Sequence, residues 1–174
     1  KIGLIAGQEY DAMGKMILPG FEQGARQADP SISVDFRVLG NWYDANKAAD
    51  LANSMLDAGV DVILPICGGA NQGAISAVKE RGRYIVYMDS ENYALAPGTI
   101  LGCSELRQER LVYETLSAAI DGDLEWGENR IVDAGDGYVA FADDHELYRE
   151  HVPETMRRTM DTFLADLRSG EISF

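Results

Sequence analysis

The segment Val60-Asp61-Val62-Ile63-Leu64-Pro65-Ile66 is apolar at almost every position. A strand with one wet face alternates apolar and polar residues; one without alternation is covered on both faces, as in the middle of a parallel sheet. The segments on either side have helical period. Ala48, Leu51, Ala52 and Met55 recur at i, i+3, i+4 and i+7. Asp44 is placed to cap that helix and Gly59 to end it in the left-handed conformation. After the strand, Gly68-Gly69 turns the chain into a short helix carrying Ile75 and Val78, closed by Gly82.

The same alternation runs along the rest of the chain. A strand is expected over 2–6, then a helix through Phe21, Ala25 and Ala28 whose start is obscured by Pro19-Gly20. Further strands are expected over 33–39, 84–88 and 99–103. A helix through Leu111, Thr115, Leu116 and Ala119 stops at Gly122. Two more strands are expected over 130–132 and 138–141. A last helix, with Pro153 in its first turn, carries Met156, Met160, Phe163, Leu164 and Leu167 along one side. These elements predict an α/β fold, a mainly parallel sheet with helices on both faces. At 174 residues the chain fits one domain with a substantial core.

A formal charge of −14 disfavours nucleic acid and anionic membrane surfaces as partners. Small neutral or cationic solutes fit it, and so does a purely solubilising role. Cys67 and Cys103 each follow an apolar run and read as buried free thiols, without the spacing of a redox or zinc pair. No apolar run reaches the length of a membrane span. The chain opens at Lys1 directly into a strand, without Met, so a processed or truncated protein is expected.

In parallel sheets, ligands bind beyond the carboxyl ends of the strands. Here those ends lead into loops 7–11, 40–44, 67–73 and 89–93. The Cys67-Gly68-Gly69-Ala70-Asn71-Gln72-Gly73 turn has P-loop glycine spacing, but Ala74 and Ile75 stand where Lys and Ser or Thr belong, so phosphate binding fails. Two readings of it remain: a tight turn needing positive φ at glycine, or bare amides open to a ligand. Trp42 is either a loop anchor or a flat wall for a planar ring. Asp89 is either a turn residue or a two-acceptor grip on vicinal hydroxyls. His145 and His151 lack the H-E-x-x-H spacing, no G-x-S-x-G occurs, and the Glu9/Asp11 pair resembles many surface loops. No catalytic set, metal site or cofactor is expected.

The opening Lys1-Ile2-Gly3-Leu4-Ile5-Ala6-Gly7 and Gly20-Phe21-Glu22-Gln23-Gly24 resemble the middle of receptors of the basic membrane protein family. The likeness continues through Gly40-Asn41-Trp42-Tyr43-Asp44-Ala45-Asn46-Lys47-Ala48, Ala58-Gly59-Val60-Asp61-Val62-Ile63, Gly68-Gly69, Asp89-Ser90, Ala96-Pro97-Gly98-Thr99 and Ser169-Gly170-Glu171-Ile172. The resemblance implies a type I periplasmic-binding-protein-like lobe of an extracytoplasmic, lipid-anchored ABC-transporter receptor. Its ligand would be nucleoside-like, and a membrane permease would be its partner. It implies that Trp42 contacts the base, Asp89 grips ribose hydroxyls, and Gly68, Gly69 and Asn71 supply close contacts at the glycine turn. The family pattern has a lysine shortly after the strand ending at Cys103; here Ser104-Glu105-Leu106-Arg107 follows, and Arg107 is the nearby cation. It divides the chain into a ligand-binding lobe over 1–103, a hinge crossing and helix over 104–128, and a return with the last helix over 129–174. The helix within 104–128 would pack on a first lobe upstream of this opening, be covered by another chain or dock differently; of these a fragment is expected. Two other classes share such sheets: an effector-sensing domain of a regulator, and an enzyme on a Rossmann-like sheet.

Overall fold

The computed structural model describes residues 1–172. Five strands run parallel: β1 (Ile2–Ala6), β2 (Val34–Val38), β3 (Val62–Ile66), β4 (Tyr84–Tyr87) and β5 (Ile100–Leu106). A short β6 (Val139–Phe141) closes one edge antiparallel to β5. The spatial order is β2-β1-β3-β4-β5-β6. The chain thus steps one way from β1 to β2 and the other way from β3 onward, which puts the topological switch between β1 and β3.

The uniform apolarity of β3 follows from two cores. Ile63 and Cys67 point with Ile5 of β1 into a core shared with α2 (Ala45–Asp57) and α3 (Asn71–Glu80). Leu64 and Ile66 point with Leu4 and Ala6 into the opposite core. There they meet Met13, Ile17 and Phe21 from the start of the first helix. That helix opens as a wide π turn over Met13–Ile17 and continues as α1 (Leu18–Ala28), with Pro19 in the first turn of the α segment. Proline fits there because the amides of a first helical turn have no intrahelical partner. Asp44 accepts the Lys47 N–H at 3.0 Å and caps α2; Gly59, at φ 86°, follows its end.

α2 and α3 approach closely across small side chains, with Ala48, Ala52, Ala74 and Ala77 all buried. At their crossing a Cβ on Gly73 would stand 1.8 Å from the Ala45 carbonyl oxygen, so only glycine fits.

Three expectations are corrected. Residues 130–132 form no strand; Ile131 is exposed, and no neighbouring strand pairs with the segment. β5 runs three residues beyond Cys103, because Ser104, Glu105 and Leu106 pair with Phe141, Ala140 and Val139 of β6. Pro153 caps the last helix, α6 (Glu154–Ser169), from outside its first turn. A short helix, α5 (Glu146–His151), precedes it, with Tyr148 buried against Tyr93 and Phe141.

The helix after β5, α4 (Gln108–Asp121), ends at Gly122 in the left-handed conformation (φ 83°) and has no buried residue. Val112, Tyr113, Leu116 and Ile120 are all exposed, Ile120 by 85%. Glu114 and Arg110 hold this helix to the return of the chain. Glu114 accepts the Tyr138 hydroxyl and pairs with Arg110 at 2.7 Å, and the Arg110 guanidinium lies 4.7 Å from the Tyr138 ring centroid.

Candidate functional site

The loop after β2 crosses the switch point. Leu39 donates its N–H to Ala6 O at 2.8 Å, which ties the loop base to β1. Gly40 takes φ 87°, and its carbonyl accepts the Gln8 side-chain amide at 2.6 Å. The Asn41 side-chain oxygen accepts the N–H groups of Tyr43 and Asp44, a turn that lifts residue 42 outward. Trp42 then lies across the ends of both central strands. A Cβ on Gly7 would fall 2.4 Å from its ring, and one on Gly68 3.1 Å from its carbonyl oxygen. The Ala70 N–H donates to that same carbonyl at 3.3 Å. The indole is seated on glycine backbone with 41% of the residue exposed. The inner face of Trp42 anchors the loop, and the outer face is open to solvent.

Tyr10, from the loop after β1, stands beside it, with ring centroids 6.1 Å apart and planes 45° apart. Its phenol is held above the ordinary range, first by burial and second by the charge of Asp89. Sequence reasoning missed Tyr10. The available signal was its place in the loop beside the switch strand, obscured by the flanking Glu9 and Asp11.

Asp89 follows β4 and is the one non-glycine residue at positive φ (81°) among the described residues. Aspartate tolerates this conformation better than most side chains. The Leu106 N–H donates to its carbonyl at 3.1 Å, fixing the turn against the end of β5. Asp89 lines a hollow of about 530 Å³ together with Ser90, Glu105, Arg107, Gln108 and Arg110. Arg107, the candidate cation, is exposed there, and its backbone N–H donates to Tyr138 O at 2.8 Å. Among the described residues neither the Asp89 carboxylate nor the Arg107 guanidinium has a hydrogen bond or an ion pair. Trp42 is not part of the lining of this hollow.

Gly68 (φ 59°) and Gly69 are exposed beneath Trp42, and Gly68 needs the freedom of glycine. Asn71 is occupied internally. Its side-chain oxygen accepts the Cys67 N–H at 2.8 Å, and its amide donates to the Tyr87 hydroxyl at 3.4 Å. Both thiols are buried as expected. Desolvation pushes Cys67 up to about 12 and Cys103 to about 11, which makes them inert near neutrality. No group of His, Cys, Asp and Glu able to hold a metal occurs among the described residues.

A family described as "ABC transporter substrate-binding protein PnrA-like" matches residues 1–168. Basic membrane protein B of Borreliella afzelii is 28% identical over 165 residues, covering 92% of this chain and 48% of that protein. The transcriptional activator protein med of Bacillus subtilis is 26% identical over 145 residues, covering 83% and 45%. Among solved structures, a transcriptional activator of the comK gene from Bacillus halodurans superposes with TM-score 0.79 at 25% identity, covering 95% of this chain and 55% of that one. An ABC transporter solute-binding protein from Aeropyrum pernix superposes with TM-score 0.75 at 20% identity, covering 100% and 57%. The chain spans about half the length of these relatives. The lobe, with its parallel sheet and the tryptophan seated at its switch point, belongs to the family of PnrA-like ABC transporter substrate-binding proteins.

Proposed function

We propose that this chain is the ligand-holding lobe of an extracytoplasmic, lipid-anchored solute receptor that captures a nucleoside-like molecule and delivers it to an ABC permease without breaking a bond. The carrying observation is the exposed face of Trp42, fixed over Gly7 and Gly68 at the switch point. A planar base stacks on that face, an apolar and π contact needing no charge. The Asp89 carboxylate, without an internal hydrogen bond or ion pair among the described residues, accepts hydrogen bonds from sugar hydroxyls, and a charged acceptor strengthens each of them. Arg107 supplies a donor from the end of β5. Gly68 and Gly69 admit the ligand close to backbone. The wet face of α4 packs on a further lobe, which provides the opposite wall of the cleft.

Titration calorimetry on the whole protein with adenosine, guanosine, inosine, their free bases and riboflavin tests this reading. Trp42→Ala should weaken every planar ligand, and Asp89→Asn should weaken nucleosides more than bases. Tight nucleoside binding that survives both substitutions refutes it.

The transcriptional activator relatives support a second reading, an effector-sensing domain of a regulator with the same sheet. Ligand-dependent DNA binding by the whole protein would favour the sensor; ligand-dependent association with a permease would favour the receptor.

A further inference from the structure

Tyr10 has a place in the site that neither the family pattern nor the sequence singled out. Three features of the fold hold it. The Gly14 N–H donates to its backbone carbonyl at 3.1 Å, at the opening of the π turn. Its ring leans on Trp42, and it lines a second hollow of about 400 Å³ with Met13, Lys15 and Phe36. An extra residue in a helical turn re-aims the side chains beside it, and such turns recur at functional sites. With 40% of the residue exposed, part of the Tyr10 ring is open to a ligand.

The angle between the rings matters. Two aromatic planes 45° apart and 6.1 Å between centroids form a corner, not a stack. A planar ligand lying on Trp42 presents its edge to Tyr10, which suits the edge-to-face preference of aromatic quadrupoles. The charge of Asp89 also reaches Tyr10, after burial the second cause that holds its phenol above the ordinary range.

We infer that Tyr10 is a specificity-determining residue of the site, its ring forming the second wall of an aromatic corner with Trp42 and its hydroxyl contacting the polar substituent carried by the ligand's ring. The ligand class it selects is a flat heterocycle bearing a hydroxylated group, in preference to the bare heterocycle. Because burial and Asp89 raise its pKa, the phenol remains a donor throughout the neutral range. This inference rests on the receptor reading above.

The test compares adenosine with adenine, by calorimetry, on the whole protein and on Tyr10→Phe, Tyr10→Leu and Trp42→Ala. Tyr10→Phe keeps the ring and should weaken adenosine about tenfold, the scale of one lost hydrogen bond, while leaving adenine unchanged. Tyr10→Leu should weaken both. Thermal unfolding of the Phe variant should match the parent, since the residue is partly solvent-facing. If the parent binds both ligands and Trp42→Ala abolishes this, yet both Tyr10 variants bind as the parent does, the assignment of Tyr10 is overturned while the receptor reading stands. If the parent binds neither ligand, both fall together. An equal loss for adenosine and adenine in Tyr10→Phe overturns the hydroxyl contact.

Discussion

Gly7→Ala isolates the seat of Trp42 from the rest of the site. Gly7 is not at positive φ, so its backbone accommodates alanine without strain. The added methyl, however, would lie 2.4 Å from one indole carbon and 2.7 Å from two more. Carbon atoms rest at about 3.5–4.0 Å, so the ring must retreat by roughly 1 Å or swing outward. Trp42 is exposed on its far side, so it has room to move, and the cost to stability should stay near about 1 kcal/mol. The loss falls on binding. Stacking of a base on an aromatic side chain is worth about 1–3 kcal/mol, so a displaced ring should weaken a nucleoside by about 5- to 150-fold. The assay is tryptophan emission in a background where Trp42 is the sole tryptophan, followed by titration. Gly24→Ala, in α1, is the control, since a Cβ there meets nothing within 4 Å. Emission should shift to longer wavelength in the Gly7 variant alone. Unchanged emission with unchanged affinity would refute the view that the ring is seated on Gly7.

Two further outcomes test the fold itself. Gly73→Ala forces α2 and α3 apart at backbone level and should cost about 3 kcal/mol or more in chemical denaturation, a severe case of overpacking; a near-neutral result would mean the helices do not cross as closely as described. Asp35 is held below the usual carboxylate range, chiefly by its bonds from Arg37, at 3.0 and 3.1 Å, and also by Lys1. A depressed folded-state value stabilises the protein above the unfolded value, about pH 4, and that contribution is lost as pH falls through the folded value. Asp35→Asn should therefore cost about 1 kcal/mol at pH 7 and progressively less as pH falls below about 4, followed by urea unfolding at each pH.

The sheet was legible wherever a residue's partner type is dictated by its own position. β3 is apolar at both inner and outer positions because both faces are covered, and that pattern needs no knowledge of neighbours. The Asp44 cap and the left-handed glycines at 59 and 122 are local chemistry in the same way. What failed was non-local. The 130–132 segment looks like a strand on its own, but no strand pairs with it. β5 extends to Leu106 because β6, which begins 33 residues later, takes up its ladder. Likewise, Gly7 and Trp42 are individually visible, but their contact joins two loops that only the switch in strand order brings together. The contact between Tyr10 and Trp42 also joins the loops after β1 and β2.

The groups along the rim differ in one physical respect, whether each is already satisfied. The Asn41, Asp44 and Asn71 side chains and the Gln8 amide all have partners within the protein, and each fixes a loop or a helix start. A group so engaged gains little from a ligand, since it must first give up a bond. Asp89, Arg107 and the outer face of Trp42 carry no such commitment, and they surround the carboxyl ends of β2, β4 and β5. Water satisfies the two charges in the free lobe, but it leaves the indole face wet at a hydrophobic cost that only a cover removes. A single lobe offers a ligand one face of contact, and its other face remains in solvent. The stacking and charge-assisted contacts reach full strength when a second surface excludes that water, because electrostatic attraction rises as the local dielectric falls. On the receptor reading proposed above, the rim binds in closure, not as an open platform. That reading predicts that ligand affinity measured on residues 1–174 alone falls well below that of a form in which a second lobe covers the rim, even with every residue of the rim intact.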